Sequence, residues 1–314
     1  MSTDVVIGID LGGTRIRAAR LSADLKILQR IETLTLDGEG LDAVINRIVQ
    51  QAQAVWPTYA RVIGIGVSAP GPVDPIAGVL TTPPNLKGWH NVPLAKLLQD
   101  RLGAPAYLGN DANLAALAEH AMGAAKGYKH AVYITVSTGI GGGVIIDGHM
   151  FVGAHGLAAE LGHVIMGIDG DRTVDWEYMA SGTALARQAQ AALEKGEDSL
   201  LMQMCDSIDA VNAKMVGAAA QAGDKLALRL VTRVGQVLGM GLVSILHTFD
   251  PEIVVMGGGV AKGTWPLIID PMWDAIKKHC MDSAYWETLK IVQPILGEDV
   301  SLVGAGALAL GKGS

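Results

Sequence analysis

The chain has 314 residues, of which half are apolar and only 4% aromatic, with 40 glycines and a formal net charge of −7. This length allows two domains with sizeable cores, and the acidic balance argues against nucleic acid or an anionic membrane as a partner. The two cysteines, Cys205 and Cys280, are far apart and form neither a disulfide framework nor a cysteine-rich metal site. The first residues lack the basic and apolar regions of a signal peptide, so we expect a cytoplasmic protein.

The first predicted element is a strand–turn–strand unit over residues 5–21. Its apolar first strand ends in Asp10, and its turn is Gly12-Gly13-Thr14. Glycines in such a turn leave backbone N–H groups uncovered, so that they can approach an anion, and Asp10 is suited to hold a hydrated Mg²⁺ near phosphate oxygens. The pattern is neither the dinucleotide fingerprint nor a Walker loop, because no helix follows the glycines. An ordinary hairpin turn explains the glycines equally well.

The following stretch alternates predicted helices and strands. Apolar spacing predicts a helix over 41–55, a strand over 62–68, a helix over 92–102, a strand over 106–108 and a helix over 114–122. Gly71, between two prolines, follows the strand over 62–68, and Asn85 lies in a Pro/Gly-rich loop. Asp111 stands at a helix start, where a carboxylate is also a natural N-cap.

A second strand–glycine–strand unit follows about 125 residues after the first. It consists of a strand over 131–136, a glycine turn over 137–143 and a strand over 144–146. Two copies of one unit predict a duplicated fold with two similar domains facing a cleft. Two unrelated glycine-rich hairpins would give the same pattern.

The last part of the chain is mostly helical. Helices are predicted over 183–194, 210–222, 225–249, 271–279 and 301–310, and strands over 252–256 and 289–292. The apolar run near 237–249 is too short for a membrane span and indicates a buried helix. Without a visible linker, we expect a small N-terminal lobe over 1–113, joined by a C-terminal helix at about 300–314, and a larger lobe over 114–299.

Eight stretches that span most of the chain occur in this order: IGIDLGGTRIRAA, GIGVSAPGPVDPIAGVL, PPNLKGW, NDANLAALAE, STGIGGGVI, AAELGH, WEYMASGTAL and VVMGGGV. In these stretches and their order the sequence resembles the ROK family (repressor, open reading frame, kinase), in particular its bacterial glucokinase-like members. The resemblance implies an actin-like, ribonuclease-H-like duplicated α/β fold with two lobes around a central cleft. It also implies transfer of the γ-phosphoryl group of ATP to a sugar hydroxyl, and a homodimer. One branch of the family consists of repressors with an additional helix-turn-helix domain, for which a first strand near residue 4 leaves no room.

The resemblance also implies roles for individual residues. Asp111 would be the general base that accepts the proton of the attacking sugar hydroxyl. The implied sugar ligands are Gly71, Asn85, Asn110, Asp111, Glu160, His163 and Glu177. The implied ATP and Mg²⁺ residues are Asp10, Gly12, Gly13, Thr14, Arg15, Thr138, Gly139, Gly141, Gly257, Gly258 and Gly259, with Asp10 holding the metal through water. Structural alternatives remain: an Asx turn for Asn85, a proline-flanked turn for Gly71 and a solvent-facing strand charge for Arg15.

Glu160 and His163 are three residues apart and share a face if that stretch is helical. Carboxylates accept hydrogen bonds and a neutral histidine can donate or accept, so the set with Glu177 suits a polyol. The alternative is that Glu160 is an ordinary surface residue and that the hydrogen bonds of His163 are made within the protein.

The sequence departs from the family just after His163. Many members carry three cysteines there that bind a structural zinc together with the motif's histidine, whereas residues 164–176 contain no cysteine. A tetrahedral zinc site has then lost its main ligands, so we predict no zinc. A solvated acidic loop is the prediction for this interval, and His163 must be oriented by another hydrogen bond, for which this loop is the candidate source.

The leading hypothesis from sequence is an ATP-dependent hexose kinase that converts glucose to glucose 6-phosphate. Kinases for N-acetylmannosamine, N-acetylglucosamine or fructose remain alternatives, because discrimination depends on a few contacts around one ring carbon. A non-catalytic sugar sensor is the rival from another class, and the intact Asp111 argues against it.

Overall fold

The computed structural model describes residues 4–311 and divides into two compact units. The first unit contains the residues up to Tyr133, Gly143–Ala159 and the residues from Pro294 onward; the second contains Ile134–Gly142 and Glu160–Gln293. The predicted lobe boundary after residue 113 falls inside the first unit, because the helix Asp111–Met122 packs there against the C-terminal helix Val300–Ala309. The last three residues of the predicted C-terminal segment lie outside the described residues.

The strands, in chain order, are β1 (Asp4–Leu11), β2 (Arg15–Ser22), β3 (Ile27–Leu34), β4 (Arg61–Ala69), β5 (Val73–Asp74), β6 (Val79–Leu80), β7 (Ala106–Asn110), β8 (Ala131–Val136), β9 (Ile140–Ile146), β10 (His149–Met150), β11 (Ile165–Asp169), β12 (Arg172–Asp175), β13 (Ile253–Gly257) and β14 (Lys290–Val292). The helices are α1 (Leu41–Ala54), α2 (Leu94–Leu102), α3 (Asp111–Met122), α4 (Trp176–Ala180), α5 (Gly182–Glu194), α6 (Leu201–Met204), α7 (Ala213–Gln221), α8 (Lys225–Phe249), α9 (Gly259–His279) and α10 (Val300–Ala309).

Two five-stranded sheets share one strand order. The first has the order β3-β2-β1-β4-β7 and the second the order β10-β9-β8-β13-β14. In each sheet the second and third strands of this order are the two strands that the glycine turn connects. Within the first sheet, β1 is antiparallel to β2 and parallel to β4, and β4 is parallel to β7. The same order in both sheets confirms the predicted duplication and rules out two unrelated hairpins.

The first sheet is covered by helices on both faces. One face carries α1 and α2 over a core that includes Ile9, Val67 and Leu108, and the other carries α3 and α10. On the α10 side the strands present glycines, because the helix backbone lies directly on them: a Cβ atom on Gly8 would lie 2.5 Å from the carbonyl oxygen of Leu302.

Helix α9 is longer than the helix predicted from sequence, which covers only residues 271–279. The helix instead begins at Gly259 and runs through Pro266 and Pro271. Its packing on α8 explains the difference, since Gly235 of α8 lets the α9 backbone approach so closely that a Cβ atom there would lie 2.8 Å from the carbonyl oxygen of Ile268. Tertiary contact therefore holds the helix together through both prolines.

Helix α8 is the one helix within residues 4–311 that is long and apolar enough to cross a membrane. Of its most apolar window, 56% is buried inside the protein, as in the core helix of a soluble domain. Trp176 packs against Gly241 of this helix and donates its Nε1 hydrogen to the carbonyl oxygen of Val237 at 3.1 Å. Length and composition are therefore weak evidence for a membrane span.

Candidate functional site

The parallel strands β1, β4 and β7 end at one edge of the first sheet. The register places Asp10 beside Ser68, and Ala69 beside Asn110. The glycine turn after β1, the Pro-Gly-Pro segment after β4 and Asp111 after β7 all follow this edge. Ligands of α/β sheets bind outside the carboxyl ends of the strands, so the fold collects the predicted residues of the first unit where such a ligand would bind.

The first glycine turn is hydrogen-bonded to Thr35, a buried residue that sequence reasoning missed. Its hydroxyl donates to the carbonyl oxygen of Gly12 at 2.6 Å, and its N–H donates to that of Thr14 at 2.8 Å. The Gly12 N–H is engaged within the turn, so the N–H groups of Gly13 and Thr14 are the candidates to face an anion. A Cβ atom on Gly13 would lie 3.0 Å from Cβ of Asn85, so the turn and the loop that carries Asn85 are in contact.

Asp10 is held by Arg17, which sequence reasoning also missed. The Nε and Nη2 atoms of Arg17 lie 2.8 Å and 2.7 Å from Oδ2 of Asp10, which leaves Oδ1 to accept from a metal-bound water. The hydroxyl of Ser68 is buried and has no hydrogen-bond partner among residues 4–311, and a water there would satisfy it. These features fit a hydrated Mg²⁺. Arg15 is exposed and forms an ion pair with Glu32 on the neighbouring strand.

From the sequence, Asp111 is a candidate both for the N-cap of α3 and for the general base, and the structure assigns the cap to another residue. Asn110, not Asp111, is the N-cap, because its side-chain oxygen accepts from the N–H groups of Ala112 at 2.9 Å and Asn113 at 3.4 Å. Asp111 is the first residue of the helix; its side chain is exposed and its Oδ1 accepts from the Ala112 N–H at 2.8 Å. A Cβ atom on Gly71 would lie 2.7 Å from Nδ2 of Asn110, so a side chain at that position would displace the cap.

Glu119 fixes the other end of α3. Its carboxylate is fully buried and accepts from the N–H groups of Ala124 at 2.7 Å and Leu296 at 3.1 Å, which ties the helix to the segment before α10. The helix that begins with Asp111 is thus anchored at both ends.

Burial raises the pKa of Tyr133 to about 12, and the negative charges of Glu119 and Asp111 add to the shift.

In the second unit, Glu177 reaches the second glycine turn. Its Oε2 accepts from the N–H of Ile140 at 2.7 Å, and a Cβ atom on Gly139 would overlap that same oxygen. Gly141 follows within β9, and the first turn of α5 docks on the glycine turn through the Thr183 hydroxyl, which donates to the Thr138 carbonyl oxygen at 2.9 Å. An implied sugar ligand and an implied phosphate turn are therefore in direct contact.

Glu160 and His163 do not lie on an α-helix. They flank and end a single 3₁₀ turn, Leu161–His163, in which residues three apart are nearly eclipsed. Both are exposed, and the Nδ1 atom of His163 lies 3.3 Å from Oδ2 of Asp175. Within residues 4–311, no group of three or more His, Cys, Asp or Glu side chains is arranged to hold a metal ion; the absence of zinc stays a prediction.

A cavity of about 980 Å³ lies entirely within the second unit, between α5, α7 and the first turns of α9. Thr138 and Gly259 line it together with the basic residues Arg187, Lys214 and Lys262, which sequence reasoning missed. Its size is that of a small-molecule site. The start of a long helix and three basic side chains suit phosphate groups, so the cavity fits a nucleoside triphosphate.

Gly257 ends β13 and Gly258 caps α9 at φ 92°. A Cβ atom on Gly258 would overlap the carbonyl oxygen of Val136, whereas one on Gly259 would meet nothing within 4 Å. We expect Gly258→Ala to lower the free energy of unfolding by about 2–4 kcal/mol, through backbone strain and overlap. Gly259→Ala is the matched control and should stay within about 0.5 kcal/mol of the wild type. Urea unfolding monitored by circular dichroism measures both, and equal midpoints for the two variants would contradict the expectation.

Two glycine hairpins, each leading into a five-stranded sheet of the same order, define a duplicated α/β protein of the actin-like ATPase class. The protein-family model described as "ROK family" matches residues 6–312 of the sequence. The chain therefore belongs to the ROK family.

Relatives of known name resemble this chain over nearly its whole length. It is 35% identical over 309 residues to a glucokinase of Thermotoga maritima, covering 96% of each chain. Among solved structures, the ROK hexokinase from Thermus thermophilus is similar with a TM-score of 0.80 at 33% identity and 96% coverage of both chains. A ROK family glucokinase from Streptomyces griseus, in complex with glucose and AMPPNP, is similar with a TM-score of 0.78 at 31% identity, covering 97% of this chain and 98% of the other.

Proposed function

We propose that this protein is an ATP-dependent sugar kinase and that its acceptor is glucose, which it converts to glucose 6-phosphate. The observation that carries the proposal is the start of α3, where Asn110 caps the helix and the exposed Asp111 carboxylate is not the cap. Family membership, and the naming of matched relatives as glucokinases and a hexokinase, support it.

In this proposal each residue acts by its ordinary chemistry. Asp111 accepts the proton of the sugar hydroxyl as the hydroxyl oxygen attacks the γ-phosphorus. The bond from this phosphorus to the bridging oxygen of the β-phosphate breaks, and ADP leaves. Asn110 donates through Nδ2, the carboxylates of Glu160 and Glu177 accept from sugar hydroxyls, and His163 donates or accepts. Asn85 and the backbone at Gly71 complete the sugar contacts.

In the second unit, the N–H groups of the glycine turn donate to phosphate oxygens of ATP, and the adenosine occupies the cavity beside Gly259. In the first unit, Gly13 and Thr14 are the corresponding N–H donors. Asp10 would hold a hydrated Mg²⁺ through one of its waters, with Arg17 holding the carboxylate in place. When bound, Mg²⁺ neutralises charge on the phosphate oxygens. The AMPPNP in the structure of the Streptomyces griseus relative supports ATP as the donor.

The proposal also includes a cytoplasmic homodimer that takes part in glycolysis, without a nucleic-acid or membrane partner and without zinc. The alternatives within the same chemistry are kinases for N-acetylmannosamine, N-acetylglucosamine or fructose. The alternative of a different class is a sugar sensor, which would bind sugar without transferring phosphate.

The test is ADP release with Mg-ATP across glucose, mannose, fructose, N-acetylglucosamine and N-acetylmannosamine. We expect glucose to have the highest kcat/KM, and mass spectrometry with NMR to identify the product as glucose 6-phosphate. A higher kcat/KM for another sugar would replace glucose but keep the kinase. If calorimetry shows that a sugar binds but no sugar leads to ADP release from ATP, the sensor would be favoured.

A further inference from the structure

The hairpin β11–β12 directly follows the turn that ends in His163, and it brings a carboxylate to this residue. The N–H of Trp176 donates to the carbonyl oxygen of Val164 at 3.0 Å, which closes the interval into a hairpin. This register brings Asp175 beside Ile165 and next to the imidazole. The Nδ1–Oδ2 distance of 3.3 Å makes Asp175 the hydrogen-bond partner of that ring nitrogen.

Asp175 itself is held rigidly. Its other oxygen, Oδ1, accepts from the Tyr178 N–H at 2.8 Å and so caps α4. The next residue, Trp176, is fully buried and bonds to the backbone of α8. Cation–π contacts of Arg172 and Arg187 with the Tyr178 ring, at 5.6 Å and 3.8 Å, hold the same segment from β12 and α5.

The two oxygens of Asp175 thus have separate functions, one toward the backbone and one toward the ring. A carboxylate only accepts hydrogen bonds, so the Nδ1 atom that faces it carries the proton. In the neutral ring the other nitrogen, Nε2, then has a lone pair and can accept a hydrogen bond from a hydroxyl. In this tautomer a sugar hydroxyl at Nε2 must donate its hydrogen, whereas in the other tautomer it must accept one. The tautomer therefore decides how a bound sugar hydroxyl is oriented.

We propose that Asp175 is a positioning residue that fixes the tautomer of His163 and thereby its contact with the sugar. The same short segment carries Glu177, whose carboxylate reaches Ile140, so one rigid element positions both side chains. This inference rests on the proposed function, in which His163 and Glu177 are sugar ligands.

Asp175→Asn is the sharpest test, because it changes one oxygen and keeps the cap. The asparagine oxygen still caps α4, since Asn is as good an N-cap as Asp, but its NH₂ group replaces the oxygen that faces Nδ1. A donor at that place moves the imidazole proton to Nε2, as an Asp-to-Asn change beside a catalytic histidine does in serine proteases. We expect the long-range ¹H–¹⁵N spectrum of His163, assigned with His163→Gln, to change from the Nδ1–H to the Nε2–H form.

With that change we expect kcat/KM for the sugar to fall by roughly tenfold to a hundredfold, the usual cost of removing a residue that orients a ligand side chain. KM for ATP should stay within about twofold, because the nucleotide cavity is untouched. Asp171→Asn, in the exposed turn of the same hairpin, is the control for the loss of one negative charge and should leave tautomer and kinetics unchanged.

An unchanged tautomer in Asp175→Asn would overturn the inference, and so would a changed tautomer with wild-type kcat/KM for the sugar. Should Asp175→Asn fail to fold, Asp175→Ser keeps the cap, since serine also caps helices, and removes the oxygen that faces Nδ1. The Nδ1–H form and kcat/KM for the sugar both unchanged in Asp175→Ser would then overturn the inference. The spectrum and calorimetric sugar binding need no turnover. A wild type that transfers no phosphate would therefore overturn the proposed kinase, while these two measurements still judge Asp175.

Discussion

Asp111→Asn is expected to lower kcat by roughly 10²–10⁴-fold, the usual effect of removing a general base. The amide cannot accept the proton of the attacking hydroxyl at neutral pH. Because Asn110 is the N-cap, helix α3 keeps its start. KM for ATP should change by less than about threefold, since the exchange leaves the nucleotide cavity intact. Steady-state ADP release at saturating sugar measures the effect.

Asp100→Asn is the matched control for this experiment. Asp100 is an exposed aspartate of the same unit, paired with Lys96 at 2.8 Å on α2. Such a surface pair contributes about 0–1 kcal/mol to stability, so kcat should equal that of the wild type. A kcat of Asp111→Asn within about tenfold of the wild type would remove Asp111 from the role of base.

Gly66→Ala is expected to be among the most destabilising single methyl additions in the first unit. Gly66 lies in β4 under α10, and a Cβ atom there would overlap the carbonyl oxygen of Ala305. The neighbour is backbone of a helix that also lies on Gly8 and Gly64, so it has no flexible end that can turn aside. We expect the free energy of unfolding to fall by at least about 3 kcal/mol, at the upper end for overpacking.

Gly38→Ala makes the same chemical change where nothing lies within 4 Å. It should stay within about 0.5 kcal/mol of the wild type, as surface substitutions do. Urea unfolding followed by circular dichroism compares the two variants directly. Equal midpoints for Gly66→Ala and the wild type would mean that α10 moves off the sheet without cost.

Sequence reasoning missed two residues, Thr35 and Arg17, that hold parts of the candidate site in place. Thr35 lies outside the motifs, and Arg17 lies within one but carries no pattern of its own; each acts through a contact that only the fold creates. The hydrogen bond between Asp175 and His163 agrees with the prediction that the loop after His163 orients this ring, although the sequence did not single out Asp175 within the loop. Strand β3 was missed because apolar and charged residues alternate imperfectly along this edge strand. The roles of the motif residues themselves remain predictions for the experiments above.

The sequence by itself determined the family, the duplicated strand–glycine–strand plan and the bounds of elements such as β8 and α8, whose ends match the predictions. These are local properties, because apolar periodicity and glycine punctuation act within one or two turns or strands. Only the tertiary structure decided that α9 continues through two prolines, that Asn110 rather than Asp111 caps α3, and that Asp175 faces His163. The physical reason is that packing against α8 and the pairing of β11 with β12 join residues whose own sequences do not specify one another.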